Sequence, residues 1–196
     1  MVAPDRCVHA GFSLLEVLVA LMVLAVGLLG LAGMQARSLT LARDAELALV
    51  MSAQAESLAE SMRANGIASA TASGGLAYSW AHYEEEDYTS HLTVPGQACQ
   101  AGTECSAADL AAWDLYRFKQ ALAARFPASS TAWKAVVCRA APGSQPSFAD
   151  SGCRPSGELG VRIVWRQRQD ARTRAALASG ASATVEKRYV LPIQTD

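Results

Sequence analysis

Charge is missing from one stretch of the chain. Residues 17–35 hold no charged side chain, and the four positions before Glu16, Phe12 to Leu15, are uncharged as well. Read as a helix, 12–35 is long enough to cross a hydrocarbon core of about 30 Å. Beyond it, Leu47, Val50, Met51, Leu58 and Met62 recur at helical spacing, which predicts an apolar stripe along one face. Arg43, Asp44, Glu46, Glu56, Glu60 and Arg63 fall largely off that stripe, and Asn65-Gly66 reads as a C-cap pair. The pattern predicts one helix of about 53 residues, roughly 80 Å long. Its first half is apolar all round and its second half amphipathic.

The remainder, 67–196, reads as a globular head. Small residues fill 69–75, and 76–83 and 88–94 are loosely strand-like. Ser106-Ala107-Ala108-Asp109 has capping-box spacing, with Asp where Glu or Gln is more usual. It opens a helix to about Phe126 that places Leu110, Trp113, Leu115, Phe118, Leu122 and Phe126 on apolar positions, with Pro127 as its stop. Segments 133–138, 159–165 and 185–193 predict strands. In the middle one Val161, Ile163 and Trp165 alternate inward with Arg162, Val164 and Arg166 outward. Residues 167–183 are expected to be a polar hairpin connection. The predicted class is α+β, a long N-terminal helix packed on a small antiparallel sheet.

Composition sharpens this in one respect. With 51% hydrophobic and 18% charged residues over 196 positions and a mean hydropathy of +0.13, the chain is too apolar to be disordered. A net charge of −1 implies no global attraction to nucleic acid or lipid. The apolar excess is concentrated near the start, where hydropathy alone allows a cleaved signal peptide, a simple anchor or something more specialised. Glu16 separates these. An acid inside an apolar segment costs about 2.5–3.5 kcal/mol on insertion scales unless it finds a partner, and a plain anchor has no use for one.

The stretch Gly11-Phe12-Ser13-Leu14-Leu15-Glu16-Val17-Leu18-Val19-Ala20-Leu21 closely resembles the class III signal sequence of type IV pilins and type II secretion pseudopilins. The resemblance implies a leader, 1–11, removed by a prepilin peptidase between Gly11 and Phe12, and N-methylation of the new first residue, Phe12. It also gives Glu16 the family's assembly role. The chemistry is coherent: cleavage creates an α-amine on Phe12, largely protonated at neutral pH, and pairing it with Glu16 offsets a desolvation neither charge tolerates alone. Glycine before the cut leaves no side chain to obstruct a protease cleft. Family leaders are generally short and basic, whereas this one has one Arg, one Asp and a Cys, Cys7. The run Gly27-Leu28-Leu29-Gly30-Leu31-Ala32-Gly33 resembles the PilV-type minor pilins. Gly27, Gly30 and Gly33 would let neighbouring helices approach closely, and each weakens the helix by about 1 kcal/mol relative to alanine.

Cys99, Cys105, Cys138 and Cys153 remain after the leader, an even count that suggests two disulfides with three possible pairings in an exported head. Cys99–Cys105 and Cys138–Cys153 are favoured because both close short local loops. A four-Cys zinc site is the rival, without any Cys-x-x-Cys pair to support it. Catalytic motifs are missing: there is no His-Glu-x-x-His, no Gly-x-Ser-x-Gly and no phosphate-cradling glycine loop. The acidic run Glu84-Glu85-Glu86-Asp87 reads as a solvated loop in preference to a calcium site. Between Glu84 and Asp114 there are seven acids and no Lys or Arg, while Arg117 to Arg174 holds eleven basic residues against three acids. In a filament subunit that segregation suggests pairing between neighbours, and no nucleic acid is expected as a partner.

These readings converge on a type IV pilin fold with leader 1–11, a transmembrane or filament-core helix 12–35, its amphipathic continuation 36–66 and a periplasmic or extracellular head 67–196. The expected function is that of a minor pilin, a structural subunit of a tip or priming complex that promotes pilus assembly. It would not be an enzyme and would need no cofactor or metal. Its partners would be other minor pilins, the major pilin, the prepilin peptidase and, before assembly, the inner membrane. A minor pseudopilin of type II secretion is the nearest alternative, and a signal-anchored periplasmic enzyme or binding domain is the alternative from another class.

Overall fold

The structure is a computed structural model that describes residues 13–71, 74–100, 103–126, 132–168 and 184–194. Gly11, Phe12 and the leader lie outside the described residues, as do Pro127 and positions 169–183. The described architecture is α+β, consistent with the type IV pilin fold.

Helix α1 spans Leu14–Ala64, 51 residues. Two compact units divide the chain within it, Met1–Arg43 and Asp44–Asp196. In the first unit, every described residue is exposed. In the second, Met51, Ala55, Leu58, Ala59 and Met62 are buried and Leu47 and Val50 pack against them in part. The predicted stripe is therefore present, with two alanines in it that hydropathy alone did not single out. At the end of α1, where carbonyls lose their helical partners, Trp80 Nε1 donates to the Met62 carbonyl at 2.7 Å. Asn65 Nδ2 donates to the Ala107 carbonyl at 2.8 Å, so α1 is tied to the start of the second helix.

Strands β1 (Ile67–Ala70) and β2 (Leu76–Ser79) form an antiparallel hairpin exposed on both faces. The sequence assigns no element to the first of these and predicts that the second runs to Tyr83. It stops at Ser79 because a 3₁₀ turn, Ala81–Tyr83, takes over and buries Tyr83. The strand expected over 88–94 is a series of turns. Asp87 Oδ1 accepts from the Thr89 backbone N–H at 2.8 Å and the Thr89 hydroxyl at 2.7 Å, and His91 adopts φ 51°. A short carboxylate that captures the next amides competes with any ladder.

Helix α2 spans Ala107–Ala123 with Ser106 as N-cap in a full capping box: Ser106 Oγ accepts from the Asp109 N–H, and the Asp109 carboxylate reaches back to the Ser106 N–H. Strands β3 (Trp133–Ala140), β4 (Glu158–Arg168) and β5 (Thr184–Pro192) form a second antiparallel sheet in chain order. Register places Trp133, Ala135 and Val137 opposite Trp165, Ile163 and Val161, and Tyr189 and Leu191 opposite the last two. This face meets Leu115, Phe118 and Leu122 of α2 and the buried side of α1 in one core.

The other face departs from the expected alternation. Arg162 and Val164, expected to face solvent, are buried. The segment between β3 and β4 folds back over them: Phe148 is buried, Lys134 Nζ donates to its carbonyl at 2.8 Å, and the Arg166 guanidinium sits 4.1 Å from its ring centroid. Gly157 turns the chain back into β4 with φ 121°, and a Cβ there would lie 2.2 Å from the Ala140 carbonyl oxygen.

Candidate functional site

The helix start is built by Ser13. Its Oγ accepts from the Leu15 N–H at 3.2 Å and its carbonyl accepts from the Glu16 N–H at 3.0 Å, so the apolar run enters helix at once. Ser13-Leu14-Leu15-Glu16 also has capping-box spacing, yet the box does not form: Ser13 Oγ takes the Leu15 N–H, and the Glu16 N–H goes to the Ser13 carbonyl. The carboxylate of Glu16, in the first turn, has no hydrogen bond or ion pair among the described residues. Around it, large apolar side chains from Leu14 to Met34 stand open, from 46% exposed at Val17 to 91% at Leu14. The helix is long and apolar enough to cross a membrane, with a mean hydropathy of 2.7 in its best 18-residue window.

Gly27, Gly30 and Gly33 lie in unbroken helix, and a Cβ at any of them would meet nothing within 4 Å. Nothing described inside this chain requires glycine at these three positions. What α1 presents, then, is an unpartnered acid at the head of an uncovered apolar helix. Both need something outside the described residues.

Residues 6–32 match the prokaryotic N-terminal methylation motif. The match takes in Gly11, Phe12 and Glu16, supports a type IV pilin-like family and implies processing by a prepilin peptidase. It ends within the apolar run of α1, and the head lies outside it. No curated protein and no solved structure matches the chain.

In the head, Cys99 bonds to Cys105 and Cys138 to Cys153. These bonds occupy all four cysteines of the head, and among the described residues no group of three or more His, Cys, Asp or Glu is placed to hold a metal. The acidic run is taken apart by its neighbours. Glu84 pairs with Arg139 at 2.9 Å and Asp87 serves the turn, where the Thr89 hydroxyl above all holds its carboxyl below the usual range. Glu85 goes inside.

Glu85 Oε1 accepts from Lys119 Nζ at 2.7 Å and lies 2.9 Å from His91 Nδ1, while Oε2 accepts from the Val137 N–H at 3.0 Å. Lys119 also donates to the Ser90 carbonyl. Burial pushes the Lys119 ammonium below its ordinary pKa, although Glu85 pulls the other way. Close by, Tyr83 donates its hydroxyl to Asp114 Oδ2 at 2.7 Å; burial raises both the phenol and the Asp114 carboxyl. The separation of acids and bases along the chain is thus partly consumed within the head, tying the Tyr83–His91 segment to α2 and β3. Consecutive acids gave no sign of this, because the partners come from positions 34 and 55 residues away.

Proposed function

We propose that the chain is a minor pilin of a type IV pilus, a structural subunit that joins a tip or priming complex and supports assembly. The observation that carries this reading is Glu16, unpartnered in the first turn of an uncovered apolar helix within the methylation motif. After cleavage between Gly11 and Phe12, Glu16 takes the N-methyl-Phe12 ammonium, its own or a neighbour's, as partner, and the open glycine positions accept the adjoining helices. The head then stands outside the inner membrane, where an oxidising compartment keeps both disulfides closed. The PilV-type glycine run favours a pilus over the type II secretion pseudopilins that share the same signal.

Intact mass of the membrane-extracted protein tests the first step: the mature chain begins at N-methyl-Phe12, and Gly11→Val leaves it uncut. Glu16→Val is cleaved but assembles poorly. Retention of Met1 on the wild-type protein would overturn the reading. Co-purification with secretion components instead of pilus components would move the chain to the pseudopilins.

A further inference from the structure

On the covered face of the β3–β4–β5 sheet, Glu158 and Arg162 flank Gly160 along β4. Side chains two apart on a strand share a face, and glycine leaves the strand bare between them. A cleft of about 140 Å³ opens there, walled by Val190 and Pro192 of β5 and by Ser144 of the segment that the Cys138–Cys153 bond closes.

Arg162 lines this cleft and is 3% exposed. Its Nε donates to the Ser151 carbonyl at 2.9 Å, and Nη2 donates to the Ser144 carbonyl at 2.8 Å and hydroxyl at 3.2 Å. All three acceptors are neutral. Nη1 has no partner among the described residues, and Arg162 takes part in no ion pair there. Asp150 acts on the guanidinium only from a distance and lies 3.9 Å from Arg154. Anchoring the disulfide loop accounts for Nε and Nη2. It leaves Nη1 open to water in the cleft and a desolvated guanidinium that Tyr88 and Asp150 offset only from a distance, and arginine does not shed its proton to escape that cost.

We propose that this cleft is a carboxylate subsite in which Arg162 receives a singly charged carboxylate group. Exposed Glu158, on the lining, disfavours a second negative charge, so a monoanion is selected over phosphate. The carboxylate comes either from a free small acid or from an acidic side chain of a neighbouring subunit. Only the second source rests on the filament reading.

The test uses the full chain in detergent micelles with ¹⁵N-labelled arginine, following the Arg162 Nε–H resonance as sodium acetate replaces sodium chloride at fixed ionic strength. A saturable shift with a Kd on the order of 1–10 mM is expected, with phosphate at least about tenfold weaker. Val190→Phe fills the cleft from β5 without removing any Arg162 hydrogen bond, and it weakens acetate about tenfold or more while the remaining resonances stay in place. No saturable acetate shift, equal binding of phosphate, or full binding by the folded Val190→Phe chain would each overturn the proposal. In cell envelopes, loss of crosslinking to neighbours as acetate saturates assigns the site to a neighbour's side chain. Unchanged crosslinking assigns it to a free acid.

Discussion

Lys119 carries a charge into the interior of the head, and what surrounds it decides its worth. Its ammonium meets Glu85 and the Ser90 carbonyl with both charged side chains at 1% exposure or less. Replacing one partner of such a pair leaves the other buried and unpaired, which costs about 3–5 kcal/mol. Lys119→Met is expected to lose that much in denaturant unfolding of the detergent-solubilised chain; a loss below about 1 kcal/mol would mean that Glu85 is satisfied by His91 and Val137 alone. Asp114 makes a pH prediction. Burial raises its folded-state pKa, so the folded chain holds a proton there more tightly than the unfolded one does. Stability from this group is present below the unfolded value of about 3.9 and is lost as pH rises through the raised value. Asp114→Asn should therefore gain stability relative to wild type at pH 7 and not at pH 3.5. An equal effect at both pH values would show that the Tyr83 hydrogen bond cancels the desolvation.

Among the elements, the segment between β3 and β4 owes most to its crosslink. Cys138 and Cys153 are 15 positions apart, and closing such a loop is worth about 3 kcal/mol in the chain-entropy model. Replacing both by serine is expected to lower the melting temperature of the full chain and to expose Phe148 and Arg162, which the segment covers. The Cys99–Cys105 pair closes a shorter loop and should contribute less. An equal fall for the two pairs would contradict the loop-length argument. The three strands of this sheet, the capping box at Ser106 and the stripe on α1 were all legible, because each advertises itself through local periodicity or spacing. Strand β1 was not: Ile67–Ala70 is short, small and exposed on both faces, so it has no alternation to detect. Nor was the burial of Arg162, since alternation reports which face a residue takes and not whether a distant loop comes back to cover that face. The same limit hid Lys119, whose helix places it beside Phe118 but whose carboxylate partner lies 34 residues earlier.

For the whole molecule, the two ends of α1 do different work. The N-terminal turns carry exposed leucines and valines that nothing described in this chain covers, whereas Met51, Ala55, Leu58, Ala59 and Met62 belong to the same core as α2 and the β3–β4–β5 sheet. Whoever wishes to make the head as a soluble fragment must cut inside a continuous helix, and the position of the cut decides the outcome. Starting at Ile67 would discard those five buried side chains and the Met62 carbonyl that receives Trp80, leaving a hydrophobic trough open to water. Starting at Asp44, where the second compact unit begins, would keep them. The longer fragment should show a cooperative melt and sharp tryptophan environments, and the shorter one should bind a hydrophobic dye and unfold without a clear transition. The minimal folding unit of this protein therefore includes some twenty residues of the same unbroken helix that begins as the apolar run.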